Sequence, residues 1–244
     1  MAEIIPAIIA KTFSELEEKI KLVEPYVNWV QLDVMDGKFA PQKIGYQPED
    51  LKKLDTVLNL EAHLMISEPE KAIDGWLNSG VKRILVHWEA LANEKLKTKS
   101  EKPQLKISGE AGDFFAKGEQ IKNFFDKCNK KGVGFGIVLN LETPIEVLDL
   151  LRVSSYMLHV VQLMSIGKIG SHGQPFDEKV IHKIGILKQK WPDVKISVDG
   201  GLNNQNILAA AEVGADNLVV GSAIFQSQDI GKTIQELENK FKIN

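Results

Sequence analysis

Polar residues that could transfer protons or bind a metal follow four strand-like stretches of the sequence. The clearest stretch is Trp29–Asp33, an apolar run that ends in an aspartate and passes into a turn at Gly37. His63, His87 and Asp199 end three other stretches in the same way. Catalytic side chains of α/β barrels come from the carboxyl ends of strands, so these four strand ends are predicted to converge on one site.

Asp33 and Asp199 are candidates for a pair of acid/base catalysts. They end the second and seventh strand-like stretches, on opposite arcs of a closed barrel. Two carboxylates facing each other across a pocket could remove a proton from one face of a substrate carbon and return one to the other face, as an epimerisation needs. The alternative is that each aspartate closes a turn or caps the next helix, which is common in Asp-Gly pairs.

The two strand-end histidines are candidate metal ligands or structural residues. A lone histidine such as His63 is more often a hydrogen-bonded structural residue than a ligand. With two aspartates at other strand ends, His63 also fits a divalent-metal site. For His87, hydrogen bonding within the rim of the barrel is at least as good an interpretation.

Two glycine-containing turns late in the chain indicate a phosphate site. Gly200–Gly201 follows the seventh strand, and Gly221–Ser222 follows the eighth and opens a short helix at Ser222–Phe225. Barrels often bind phosphate there, using backbone N–H groups and the start of a short extra helix. Either turn alone is ordinary turn chemistry; together they predict a phosphorylated substrate.

The segments that must position these residues alternate between strand-like and helix-like along the chain. This alternation predicts one domain, residues 1–244, folded as a single (β/α)8 TIM barrel. A polar insertion at about residues 92–118 follows the fourth strand and is predicted to be a solvated loop, with a lid or an oligomer contact as the alternative. A doubly wound open sheet is the alternative fold, but no GxGxxG turn follows the first strand. The predicted strands are Glu3–Ala10, Trp29–Asp33, Leu58–Met65, Arg83–His87, Gly134–Leu139, Tyr156–Leu163, Lys195–Val198 and Asn217–Val220. The predicted helices include Thr12–Val23, with Ser14 as a candidate cap, about Glu119–Lys131 and Pro144–Leu151.

The composition excludes several classes of protein. The net charge of −3 over 244 residues does not indicate a nucleic acid or a membrane surface as partner. The single cysteine, Cys128, excludes an intrachain disulfide and a cysteine-rich metal site, and it favours a reducing compartment. The initial MAEIIPAIIAKTF lacks the basic segment and cleavage site of a signal peptide, and no apolar run approaches the roughly 18 residues of a membrane span. We therefore expect a cytoplasmic protein.

Several motifs in the same order resemble those of the ribulose-phosphate 3-epimerases, a family of phosphate-binding barrels. They are QLDVMDGKFAP, AHLMISEPE, VHWEA, GFGIVLNLETPIEVL, VDGGLN and GADNLVVGSAIF. The resemblance implies interconversion of D-ribulose 5-phosphate and D-xylulose 5-phosphate. One aspartate would take the proton from C3, a divalent metal ion (Zn, Mn, Mg or Fe) would stabilise the enediolate, and the other aspartate would reprotonate the opposite face.

The resemblance also assigns roles to particular residues. It implies that Asp33 and Asp199 are the catalytic acids and bases and that, with His63, they bind the metal. It places methionines in the pocket and glycines and a serine around the substrate and its phosphate: Met35, Met65, Met164, Gly173, Gly200, Gly201, Gly221 and Ser222.

The chain departs from the family pattern at three places. Gln31 stands where the family has a metal-binding histidine; an amide oxygen is a harder, neutral ligand, which predicts weaker binding and a shift from zinc towards manganese or magnesium. Ala7 replaces a serine of the pocket floor. The loop MSIGKIGSHGQ, with Lys168 and His172, replaces a family loop close to MTVNPGFGGQ, and Lys168 either contacts phosphate or is solvated.

Alternative functions follow from these departures. The first hypothesis is an active sugar-phosphate 3-epimerase with altered metal dependence, acting on ribulose 5-phosphate or on another ketose phosphate. The second is a non-catalytic barrel that binds a sugar phosphate and whose metal site has decayed. An isomerase or lyase on the same scaffold is a third, because a fold does not fix a function. A homo-oligomer is expected, since such barrels commonly associate.

Overall fold

The computed structural model describes residues 2–91, 111–149, 158–171 and 173–242. Eight parallel strands close into a barrel in sequence order, and the first strand pairs with the eighth. This arrangement confirms the predicted TIM barrel and excludes the open sheet. The strands are β1 (Glu3–Ile8), β2 (Trp29–Met35), β3 (Asn59–Met65), β4 (Arg83–His87), β5 (Gly134–Leu139), β6 (Val160–Met164), β7 (Lys195–Asp199) and β8 (Asn217–Val220).

Helices and short 3-10 turns surround the barrel. The α-helices are α1 (Phe13–Val23), α2 (Pro69–Leu77), α3 (Ala111–Lys130), α4 (Lys179–Lys190), α5 (Ile207–Glu212), α6 (Ser222–Phe225) and α7 (Ile230–Lys242). The 3-10 turns are Pro48–Lys53, Trp88–Ala90 and residues 145–149. No helix within these described segments is long and apolar enough to cross a membrane.

Two local differences from the sequence prediction have physical reasons. Helix α1 is capped by Thr12, whose hydroxyl accepts the N–H of Glu15 at 3.1 Å, so the cap is not Ser14, which lies inside the first turn. Helix α3 begins at Ala111, well before the predicted start near Glu119, and takes in the last part of the predicted insertion. Two glycines in this stretch obscure the helical pattern in the sequence. Residues 92–110 of the insertion lie outside the described residues.

Alternation along β2 separates the core from the site. Val30, Leu32 and Val34 point outward and belong to the main apolar core beneath the helices. Gln31 and Asp33 point into the barrel, because successive side chains of a strand lie on opposite faces. The same alternation places His63 next to Asp33, since the two residues are partners in the β2–β3 register.

The barrel interior is filled by a small apolar group and a buried ion pair. Gly136 leaves room for its neighbours: a Cβ there would lie 2.4 Å from a Val160 methyl group. On the amino-terminal side, Arg83 donates to the carboxylate of Glu61 and lies over the ring of Trp29, 4.5 Å from its centroid. Burial raises the pKa of Glu61, although the charge and hydrogen bond of Arg83 oppose this. The open end of the barrel is therefore the carboxyl-terminal one.

Candidate active site

Three of the four predicted strand-end residues meet inside the carboxyl-terminal end of the barrel. Asp33 on β2, His63 on β3 and Asp199 on β7 are all buried, and each offers one ligand atom within 4.8 Å of the others. His63 Nδ1 lies 3.1 Å from Asp33 Oδ1 and 3.5 Å from Asp199 Oδ2. Both carboxylates face the interior of the barrel, so neither aspartate caps the helix that follows its strand.

The side-chain amide of Gln31 lies in the middle of this group. Its Nε2 atom is 2.8 Å from Asp33 Oδ1, 2.8 Å from Asp199 Oδ2 and 3.1 Å from His63 Nδ1. Its oxygen, Oε1, is buried and makes no hydrogen bond with any residue that the structure describes. Gln31 thus bridges the two carboxylates by N–H donation and leaves its own acceptor unused.

His87 does not join the three residues directly but supports His63 from behind. His63 Nε2 lies 2.9 Å from His87 Nε2, and His87 Nδ1 lies 3.3 Å from Glu89 Oε2. Glu89 Oε1 in turn accepts the backbone N–H of Asn140 at 2.9 Å and the hydroxyl of Thr143. This hydrogen-bonded role is the interpretation that the sequence favoured for His87.

The carboxylate of Glu89 determines which ring nitrogens of His87 and His63 carry protons. A carboxylate only accepts hydrogen bonds, so the single N–H of a neutral His87 points from Nδ1 to Glu89. His87 Nε2 then accepts, and the proton between the two imidazoles belongs to His63 Nε2. A neutral His63 therefore presents its Nδ1 lone pair to Asp33, Asp199 and Gln31. Glu89 was not identified from the sequence, although it lies in the VHWEA motif.

Burial and charge shift the pKa values of the site in opposite directions. Burial and the negative charge of Asp33 raise the pKa of Asp199 to about 7. Burial would lower the pKa of His63, but the hydrogen bond and charge of Asp33, with the charge of Asp199, raise it. The pKa of His87 is lowered, chiefly by burial. Burial opposes ionisation of Glu89, yet its hydrogen bonds to His87 and Thr143 keep its pKa low.

The group could hold a divalent cation. Two carboxylate oxygens and one imidazole nitrogen converge on a point where the NH2 group of Gln31 donates to both carboxylates. The unused Oε1 atom of Gln31 would be a fourth ligand if the carboxamide turned over. Carboxylate, imidazole and amide oxygen are all donors that divalent metals accept, so the residues present fit the ion.

A cleft of about 550 Å³ opens above these residues. It is lined by most of the residues that the resemblance places around the substrate: Met65, Met164, Gly173, Gly200, Gly201, Gly221 and Ser222. Ala7 also lines it, together with residues that the sequence did not single out, namely Ile9, Ile166, Gly170, Ser171, Gln174, Leu202 and Val219. Most of these are apolar and carry no chemical signal in the sequence.

Met35 has a different place from the other two methionines. It lines a neighbouring groove on the outside of the barrel rim. It also packs in a small apolar cluster with Ala40 and Met65. A Cβ on Gly170 would lie 3.1 Å from its sulfur atom, so Met35 supports the loop that covers the cleft.

Glycines let the β6–α4 and β7–α5 loops approach each other at the cleft. Gly200 and Gly201 have φ values of 121° and 66°, which favour glycine. A Cβ on Gly201 would lie 2.6 Å from the backbone nitrogen of Phe176. Gly221 precedes the first turn of α6, where backbone N–H groups have no intrahelical acceptor. The cleft therefore has a rim of close-packed backbone.

Three further polar residues lie away from the cleft or outside the described chain. Asp36 closes a turn: it accepts the N–H groups of Lys38 and Phe39 and binds Ser67. Lys168 is exposed, and the described lining of the cleft does not include it. This placement supports the solvated alternative for Lys168. His172 lies outside the described residues.

Comparison with known proteins gives a consistent result. A profile of the Ribulose-phosphate 3 epimerase family matches residues 3–106 and 114–225. The ribulose-phosphate 3-epimerase of Synechocystis is 33% identical over 242 residues, covering 96% of this chain and 92% of that protein. The ribulose-phosphate 3-epimerase of Bacillus subtilis is 30% identical over 244 residues, covering 97% and 98%. In fold alone, the chain is similar to 3-hexulose-6-phosphate synthase from Salmonella typhimurium, with a TM-score of 0.69 and 13% identity over 98% of this chain and 97% of that one.

Proposed function

Because the chain belongs to the ribulose-phosphate 3-epimerase family, we propose that it interconverts D-ribulose 5-phosphate and D-xylulose 5-phosphate. Membership makes the protein an isomerase that acts on carbohydrates. The single observation that carries the specific proposal is the buried pair of carboxylates, Asp33 and Asp199, held on either side of the Gln31 amide at the base of the cleft. An epimerase needs two such groups because a proton leaves one face of C3 and another arrives on the opposite face.

The two carboxyl groups would play opposite roles in the forward reaction and exchange them in the reverse reaction. One carboxylate removes the proton from C3, the electrons of the C–H bond form the C2–C3 double bond, and the electron pair of the C2=O double bond moves onto the oxygen, giving an enediolate. The other group, protonated, delivers its proton to the opposite face. Burial and the negative charge of Asp33 raise the pKa of Asp199, so without a bound cation Asp199 is a candidate for the protonated partner.

The same geometry indicates which residues would hold a divalent cation. A divalent cation held by Asp33, His63, Asp199 and the oxygen of Gln31 would supply positive charge that stabilises the enediolate. Replacing one imidazole by an amide oxygen favours the harder ions manganese and magnesium over zinc, with weaker binding overall. Glu89 and His87 would keep the Nδ1 lone pair of His63 directed at the site.

The phosphate of the substrate would lie on the glycine rim. The loops that carry Gly173, Gly200 and Gly201 and the start of α6 at Gly221 and Ser222 face the same cleft as the carboxylates. Backbone N–H groups in such turns bind phosphate without a charged side chain. A sugar phosphate bound in this cleft would have its phosphate on the glycine rim and its C3 over Asp33 and Asp199.

A specific observation favours a second candidate, a barrel that binds a sugar phosphate without catalysis. The N–H groups of Gln31 already occupy both catalytic carboxylates. If they stay there, neither carboxylate is free to act as a strong base.

A different ketose phosphate is an alternative substrate for an active enzyme. Ala7 lines the cleft without the family's hydroxyl and so leaves room for one.

Hydrogen exchange at C3 tests the proposal. The purified protein is incubated with D-ribulose 5-phosphate in deuterated water, with EDTA and then with manganese, magnesium or zinc, while NMR follows xylulose 5-phosphate and deuterium at C3. We expect metal-dependent formation of both. Asp33→Asn and Asp199→Asn are each expected to lower the rate by about 10²–10⁴-fold. The exposed Asp193→Asn is the matched control and should keep the wild-type rate.

The outcomes separate the two candidates. Binding of the sugar phosphate without any exchange, under every metal, would reject catalysis on this substrate and favour the binding protein or another ketose phosphate. Full activity of Asp199→Asn would reject the two-base assignment while leaving an epimerase possible by another route.

Location and assembly are further parts of the proposal. The relatives include an epimerase of Arabidopsis thaliana named as chloroplastic and one of Oryza sativa named as a cytoplasmic isoform. The single, buried Cys128 fits a reducing compartment, and we place this chain in the cytoplasm. We also propose a homo-oligomer, with a small-molecule sugar phosphate as substrate and neither nucleic acid nor membrane as partner; sedimentation equilibrium would measure the assembly.

A further inference from the structure

We propose that the carboxamide of Gln31 has two working orientations, and that this makes Gln31 the residue that sets how strongly and how selectively the site binds a cation. With no cation, the NH2 group points inward and bridges Asp33 and Asp199. With a cation, the group turns over and Oε1 becomes a ligand. The inference deepens the proposed function and rests on it only for the use of the cation, not for its binding.

The contacts of Gln31 explain the inward orientation of its nitrogen. Nε2 lies within 2.8 Å of one oxygen of Asp33 and one of Asp199, which matches its two N–H groups to two acceptors. When both carboxyl groups are ionised, the opposite orientation would place the amide oxygen 2.8 Å from two carboxylate oxygens, so that three acceptors face one another. A cation between these oxygens removes that repulsion.

The unused oxygen of Gln31 explains why the other orientation is within reach. Oε1 is a buried acceptor without a hydrogen bond in the part of the chain that the structure describes, and such an atom is normally satisfied. An amide nitrogen has no lone pair available for a metal, so a cation cannot bind beside it in its present position. Rotation about the last side-chain bond exchanges the two atoms and moves no backbone.

The turn of the Gln31 amide affects how tightly and how selectively the site binds a cation. Cation binding must break two hydrogen bonds from an amide to carboxylates, which a histidine at the same position would not make. The gain is one hard, neutral oxygen ligand. Magnesium and manganese benefit from that oxygen more than zinc does, because zinc prefers imidazole nitrogen or thiolate.

NMR of the side-chain amides tests the reorientation directly. The full chain is labelled with nitrogen-15, stripped with EDTA and titrated with magnesium, which is diamagnetic, and the Gln31 NH2 pair is assigned by its loss in Gln31→Glu. We expect both protons to lie downfield in the stripped protein and to move upfield on saturation, because they lose carboxylate acceptors. Magnesium binding that is proven by calorimetry while this pair stays unchanged would overturn the proposal.

Variants at two glutamines make the test quantitative. Gln31→Glu removes the competing donors and adds a charged ligand, so we expect at least about tenfold tighter magnesium binding and a stripped protein that melts at a lower temperature. Gln31→His is expected to tighten zinc more than magnesium. Gln162→Glu is the matched control: Gln162 donates to the same Asp199 oxygen at 3.1 Å but does not reach Asp33 in the described contacts, so it should not give the tenfold gain.

The result is independent of catalysis. If the protein shows no C3 exchange yet the Gln31 amide responds to magnesium, the proposed function fails and this inference stands. If magnesium, manganese and zinc all fail to bind the wild type at about 10 mM, roughly tenfold above the dissociation constants of the weakest protein calcium sites, the inference is wrong whatever the activity.

Discussion

Replacing Glu89 by glutamine should move the proton of each imidazole in the hydrogen-bonded series His63–His87–Glu89 to the other ring nitrogen, while leaving the fold intact. The glutamine oxygen can keep the bonds that Glu89 Oε1 accepts from Asn140 and Thr143. Its NH2 group then faces His87 Nδ1, where a carboxylate oxygen stood at 3.3 Å. Because that group donates, His87 Nδ1 must accept, His87 Nε2 must carry the proton, and the proton of His63 must move to Nδ1.

The size of the effect follows from what His63 loses. With a proton on Nδ1, His63 has no lone pair for a cation, and binding must first restore the original arrangement against the new hydrogen bonds. Loss of one hydrogen bond to a charged group costs about 1.5–3 kcal/mol. Partners of metal-binding histidines typically contribute 10–100-fold to metal affinity or activity. We therefore expect Glu89→Gln to weaken manganese binding and C3 exchange by about 10–100-fold.

The assay combines affinity with a direct observation of the protons. Free manganese is titrated by electron paramagnetic resonance, and nitrogen-15 shifts of the histidine rings report which nitrogen carries the proton. Glu142→Gln is the control, because Glu142 is an exposed glutamate beside Thr143. A folded Glu89→Gln variant with wild-type manganese affinity and unchanged ring shifts would refute the proton positions assigned to His63 and His87. A loss of affinity without a shift of the His63 proton would assign Glu89 a purely structural role.

Three other predictions concern stability and substrate binding. Gly136→Ala should lower the free energy of unfolding by about 1–3 kcal/mol, or roughly 2–12 °C in Tm by calorimetry, because its Cβ would meet Val160 at 2.4 Å. Glu89 has a pKa below its ordinary value of 4.5, so it contributes stability above pH 4.5 that is lost as the pH falls further; urea titrations of EDTA-treated protein should show a smaller loss in Glu89→Gln. Gly201→Ala should raise KM for the sugar phosphate at least about tenfold, through strain at φ 66° and contact with Phe176; an unchanged KM would remove this turn from the phosphate site.

The fold was predictable because the strands carry their own signal. Five strands, including Arg83–His87 and Gly134–Leu139, have the predicted bounds, or bounds within one residue of them. The errors lie where packing decides the local structure. The predicted helix at Pro144–Leu151 is instead a 3-10 turn at residues 145–149 in the part that the structure describes. Lys183 donates to the carbonyl groups of Leu141 and Thr143 there, a contact from a distant helix that a local pattern does not contain.

The identity of the site residues was predictable in part, for a related reason. Asp33, His63 and Asp199 lie near the carboxyl ends of their strands, and the strand order and register of the closed barrel bring them together. Glu89 was missed because its role depends on His87, whose own role depends on His63. A chain of hydrogen bonds has no fixed spacing in the sequence.

Gln31 shows where inference from residue types alone ends. By residue type, Gln31 is a weaker ligand in the place of the family's histidine, and the sequence therefore predicts only a loss of affinity for the metal ion. The structure adds that its amide has two donors and that two carboxylates from β2 and β7 accept them. That match depends on two strands, β2 and β7, that come together only in the folded barrel. An amide at this position both links the two carboxylates and competes with a cation for them, so its effect on activity depends on which cation is present and at what concentration.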